Sequence, residues 1–128
     1  MTAVALVLAG IAAALHVFIW TMESITWKQP ATWKRFGLES QADADTTAPL
    51  AYNQGYYNLF LAIVTIIGIV FVALDRGDAG WALVLAGCGS MVAAALVLVT
   101  SGPGYTRAAA TQGTVPALAV VFAVLALA

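Results

Sequence analysis

The charged side chains of this chain fall at only eleven positions: 23, 28, 34, 35, 39, 43, 45, 75, 76, 78 and 107. Between them lie four uncharged runs, residues 1–22, 46–74, 79–106 and 108–128. Each is longer than the ~20 residues that carry a helix across a bilayer. A backbone in hydrocarbon must satisfy its own hydrogen bonds, and a helix does so within one segment. The pattern therefore predicts an all-α integral membrane four-helix bundle with spans of about 2–22, 49–74, 81–100 and 105–128.

The breaks between runs set the connections. Residues 23–48 form the one long loop, in which Trp27, Trp33 and Phe36 alternate with Lys28, Lys34 and Arg35. Aromatic rings and basic tips both suit the headgroup layer, so residues 27–38 are expected to lie along the interface. Glu39, Asp43 and Asp45 among small polar residues read as a solvated turn. Pro49 fits the first turn of the next helix, with Thr46 or Thr47 as its cap. Asp75–Gly80 reads as a polar hairpin turn containing two glycines, and Gly102-Pro103-Gly104 breaks the chain again. Pro116 removes the N–H that would meet the Gln112 carbonyl. The loops after spans 1 and 3 hold Lys28, Lys34, Arg35 and Arg107 against Arg76 alone on the other side. That asymmetry predicts loops 23–52 and 101–108 on the cytoplasmic side and both termini outside. Ala5–Gly10 recurs as Ala82–Gly87 and Gln54-Gly55 as Gln112-Gly113, an order that fits two parallel two-helix halves.

Composition sharpens what is excluded. Hydrophobic residues make up 62% and charged residues 9% of the chain, where a soluble domain is about a quarter charged. Five scattered basic residues and a net charge of −1 give no footprint for nucleic acid. One cysteine, Cys88, permits no intramolecular disulfide. One histidine with one nearby carboxylate makes no transition-metal site in a single chain, so no metal or cofactor is expected. The N-terminal run lacks a basic leader and continues past Ala12 and Ala14 to Met22, which argues against a cleaved signal.

Polar groups inside spans cost several kcal/mol unless paired or wetted, so each needs a reason. His16 lies six residues before Met22, about 9 Å into the bilayer. Trp20 and Glu23 follow at i+4 and i+7 on the same face. Span 2 enters from that side with Asn53, Gln54, Tyr57 and Asn58, and span 4 brings Gln112. The expected ligand-binding set is therefore His16, Trp20, Glu23, Asn53, Gln54, Tyr57, Asn58 and Gln112. It would hold a small polar or amphiphilic molecule in the cytoplasmic leaflet, with His16 and Glu23 as the ionisable pair. Two other readings accommodate the same residues. One is a membrane-embedded enzyme using His16 and Glu23 as an acid–base pair on a lipid-like substrate. The other is an accessory subunit in which the amides only fix helix register. Four spans are too narrow for a pore, so transport would require a homo-oligomer, most simply a dimer. Gly89/Ala93 and Ser90/Ala94 are small-xxx-small pairs suited to close packing, within the chain or between copies.

Several of these residues also form a recognisable set. His16-x-x-x-Trp20-x-x-Glu23 with Trp27, Lys34-Arg35-Phe36-Gly37, Asn53–Ala62 and Gln112-Gly113-x-x-Pro116-Ala117 together resemble the small bacterial membrane proteins grouped as domain of unknown function 1304. The resemblance covers nearly the whole chain and implies an integral membrane protein without an assigned activity.

Overall fold

A computed structural model describes all 128 residues. The chain is helical throughout: α1 (Thr2–Trp20), a π-helical turn (Thr21–Ile25), α2 (Pro30–Trp33), a 3-10 turn (Lys34–Phe36), α3 (Gln41–Ala73), α4 (Gly77–Thr100), a second 3-10 turn (Pro103–Tyr105) and α5 (Thr106–Leu127). Four of its helical stretches are long and apolar enough to cross a membrane. Two compact units are present, one made of residues 1–15 and 61–128, the other of residues 16–60.

The first unit is the bundle. It contains the start of α1, the end of α3, and all of α4 and α5, so parts of all four spans pack in it. Its core joins Ala5, Ala9 and Ala12 of α1 to Trp81, Val84, Cys88 and Met91 of α4 and Ala119 and Ala123 of α5. Leu61, Ile69 and Val72 of α3 pack against that cluster. The spacing of three and four within each set is that of a single helix face. The five alanines among them are small because lipid gives no hydrophobic drive between helices, so close backbone approach must supply the attraction. At the α3–α4 contact, a Cβ on Gly68 would lie 2.7 Å from the Val84 nitrogen, and one on Gly80 2.6 Å from the Val72 nitrogen. Between α4 and α5, a Cβ on Gly113 would lie 2.6 Å from that of Ala95. Outward faces are aliphatic, with Val7, Ile66, Leu96 and Val121 exposed. Such continuous apolar surface belongs in hydrocarbon rather than water.

Several boundaries differ from those read in the sequence. Residues 41–48 are helical, and α3 begins eight residues before Pro49. The cap is Ser40, whose Oγ accepts from the Asp43 N–H at 3.1 Å and donates to Asp43 Oδ2 at 2.7 Å. The Asp43 N–H, one of the first-turn donors without a helical partner, is thus satisfied by the Ser40 side chain, as an N-cap does. Thr46 and Thr47 are no caps; their hydroxyls donate back to the carbonyls of Ala42 and Asp43. The turn after α3 is shorter than expected, with Asp75 in a left-handed conformation at φ 59°. Gly77 and Gly80 both lie inside α4, and Gly80 serves the contact with α3 rather than a bend. The pairs Gly89/Ala93 and Ser90/Ala94 make no close contact within the chain: Ser90, Ala93 and Ala94 are exposed, and a Cβ on Gly89 would meet nothing within 4 Å.

Candidate functional site

The second unit, residues 16–60, begins at the end of α1. There the i→i+4 ladder opens into one π turn, closed by the Thr26 N–H donating to the Thr21 carbonyl at 2.9 Å. Single π turns within helices recur at functional sites because they redirect the side chains that follow. Here the redirected residues are Glu23 and Ser24, and both reach α3. Asn58 Nδ2 donates to Glu23 Oε2 at 2.8 Å, and to the Gln54 carbonyl at 3.2 Å. Both amide hydrogens are thus used, one to hold the carboxylate and one to hold the amide in place. Ser24 Oγ donates to the Tyr52 carbonyl at 2.9 Å. This crossing is close only because residue 55 is glycine: a Cβ there would collide with Ser24 Oγ and lie 3.0 Å from Glu23 Cβ.

Aromatic rings line the same stretch of α3. Trp20 meets Tyr56 edge-on with centroids 6.1 Å apart, and Tyr56 stands between Tyr52 at 5.0 Å and Phe60 at 6.2 Å. The Trp20 indole N–H is buried and has no hydrogen-bond partner.

The long loop folds onto the first turns of α3. Trp27 Nε1 donates to the Ala44 carbonyl at 3.0 Å, and the ring packs on Phe36 with centroids 4.9 Å apart. Trp33 is 6% exposed, and its Nε1 donates to Gln41 Oε1 at 3.2 Å. Both indoles therefore satisfy their N–H groups against protein. Lys34 and Arg35 remain exposed. Where this loop, the π turn and α3 meet, a groove of about 240 Å³ is lined by Glu23, Trp27, Leu38, Thr47, Leu50, Ala51 and Gln54. A larger hollow of about 560 Å³ at Asp75–Ala79 is made by five consecutive residues of one turn, with no second element to close it.

Of the expected site residues, Glu23, Gln54 and Asn58 are brought together, and Trp20 stands on the same helix with its ring on Tyr56. His16 is 1% exposed within this unit. Asn53 and Tyr57 are exposed, Tyr57 by 59%. Gln112 lies on α5, half-buried in the bundle unit, one residue before the buried Gly113. Ser24 and Gly55 were missed as site-forming residues, as were Leu38, Thr47, Leu50 and Ala51. The π turn that aims Ser24 leaves no sequence signal, whereas Gly55 inside an otherwise unbroken helical stretch marks a close approach. Nowhere do three or more His, Cys, Asp or Glu side chains gather in a way that could hold a metal ion.

Residues 10–124 match the family described as "Protein of unknown function (DUF1304)". No curated protein and no solved structure gives a significant match.

Proposed function

The chain belongs to that family of unknown function, and we propose that it binds a small amphiphilic molecule in the groove formed by the π turn, the loop and the first half of α3. The observation that carries this reading is a single carboxylate, fixed by Asn58, on the wall of a groove whose other lining residues are Trp27, Leu38, Leu50 and Ala51 with Thr47 and Gln54. Ligand pockets typically combine an apolar wall with a few placed polar groups. Glu23 and Gln54 are the proposed polar contacts and Asn58 the group that positions both. His16, Trp20, Asn53, Tyr57 and Gln112 are proposed as further members of the ligand-handling set, His16 as the proton partner of Glu23 if a solute is moved. The four basic residues of loops 23–52 and 101–108, against Arg76, support placing those loops on the cytoplasmic side of the inner membrane. Movement of a solute would need a dimer, since one four-helix bundle is too narrow for a channel.

The test is occupancy. Native mass spectrometry of the protein extracted with its surrounding lipid should find a small bound species. Leu50→Trp, at the exposed rim of the groove, should abolish that species while the protein stays folded. An identical bound population in both proteins would refute the proposal.

A further inference from the structure

Resting on that reading, we infer that the groove selects an amphiphile with a protonated primary amine as its head. The argument is an inventory of donors and acceptors. An ionised glutamate accepts hydrogen bonds and donates none. Asn58 has spent both amide hydrogens, on Glu23 Oε2 and the Gln54 carbonyl. Thr47 has spent its hydroxyl hydrogen on the Asp43 carbonyl at 2.7 Å, so it offers the groove only lone pairs. The polar wall is thus weighted towards acceptors and carries negative charge whenever Glu23 is ionised, with the Gln54 amide as its one source of free donors. No Lys, Arg or His lines it. An ammonium head brings three donors and a positive charge to such a wall, while a carboxylate or phosphate head would meet Glu23 with nothing basic to offset the repulsion.

The same charge count separates two sources of a primary amine. In an aminophospholipid the ammonium stands two carbons from a phosphate, and that anion would be carried against Glu23. A free amphiphilic amine has no such neighbour. Its chain would lie along Trp27, Leu38 and Leu50, where the indole face adds attraction for a cation. The occupant assigned is therefore a free amine with a short apolar tail.

The experiment compares three ligands that share one tail: 4-phenylbutylamine, 4-phenylbutan-1-ol and 4-phenylbutyrate. Binding is measured to the full chain in phosphatidylcholine nanodiscs, with empty nanodiscs subtracted. The amine should bind about tenfold more tightly than the alcohol, the step expected of one charge-assisted contact, and the carboxylate should not bind. Glu23→Gln keeps an acceptor for Asn58 and should remove the tenfold preference for the amine over the alcohol. Leu50→Ala should weaken amine and alcohol alike. Equal binding of amine and alcohol to the native chain would overturn the amine assignment and leave the groove as an apolar site. Failure of all three ligands would overturn the proposed function as well. Competition by phosphatidylethanolamine added to the nanodisc would overturn the free amine in favour of a lipid headgroup.

Discussion

Replacing Gly55 with alanine tests the crossing on which the site depends. In a helix interior, alanine is favoured over glycine by about 0.5–1 kcal/mol through backbone entropy alone. At Gly10 and Gly89 an added Cβ would meet nothing within 4 Å, so both substitutions should show that gain. At Gly55 the new Cβ would collide with Ser24 Oγ, and it would also stand 3.0 Å from Glu23 Cβ and 3.1 Å from the Ser24 nitrogen. The hydroxyl can rotate away, but the backbone nitrogen and Glu23 Cβ cannot move without shifting the π turn. Overpacking of this kind costs about 1–3 kcal/mol. Displacement would also lengthen the Ser24–Tyr52 and Glu23–Asn58 hydrogen bonds, each worth about 1 kcal/mol. The balance is a net loss of about 1–2 kcal/mol, opposite in sign to the two controls. Thermal unfolding in lipid nanodiscs reads it directly. Adding Ser24→Ala removes the collision with the hydroxyl together with the Ser24–Tyr52 hydrogen bond, so it should restore no more than part of the loss. A Gly55→Ala protein as stable as Gly10→Ala or Gly89→Ala would show that α3 does not approach the π turn as described.

Two further outcomes follow from the same geometry. Asn58→Leu leaves Glu23 Oε2 without its donor and should cost about 1–3 kcal/mol in unfolding measurements, whereas the double variant Glu23→Leu/Asn58→Leu, which removes both polar side chains, should recover most of that loss. Cys88 is fully buried in the bundle core, so a membrane-permeant maleimide should leave it unlabelled in the folded protein and label it once the protein is unfolded; rapid labelling of the native chain would contradict that core.

How far the sequence revealed the structure varied with the physics involved. Bilayer thickness imposes a length on every span, so gaps between charges were enough to find all four. The start of α3 was misplaced because Asp43 and Asp45 were weighed as solvated charges rather than as first-turn residues, although Ser40 is the N-cap that fixes the boundary. The acceptors that claim the Trp27 and Trp33 N–H groups, the Ala44 carbonyl and the Gln41 side chain, come from the helical extension before Pro49, which the charge pattern does not reveal. Glu23, Gln54 and Asn58 were legible as a group because intramembrane polar side chains are costly. The groove beside them was not, since it depends on how Leu38 and the loop fold back over Leu50 and Ala51.

The length of α3 carries a consequence of its own. Thirty-three residues make a rod of about 50 Å, against about 30 Å of acyl-chain thickness. Some dozen residues of that rod must stand clear of the oily layer or be taken up by tilt. Thr47, Leu50, Ala51 and Gln54 belong to its first half, so they sit where that surplus is settled. Lipids with longer tails would draw this stretch inward and shorter ones would let it rise towards water, which makes membrane composition a dial on how the Glu23 carboxylate is hydrated.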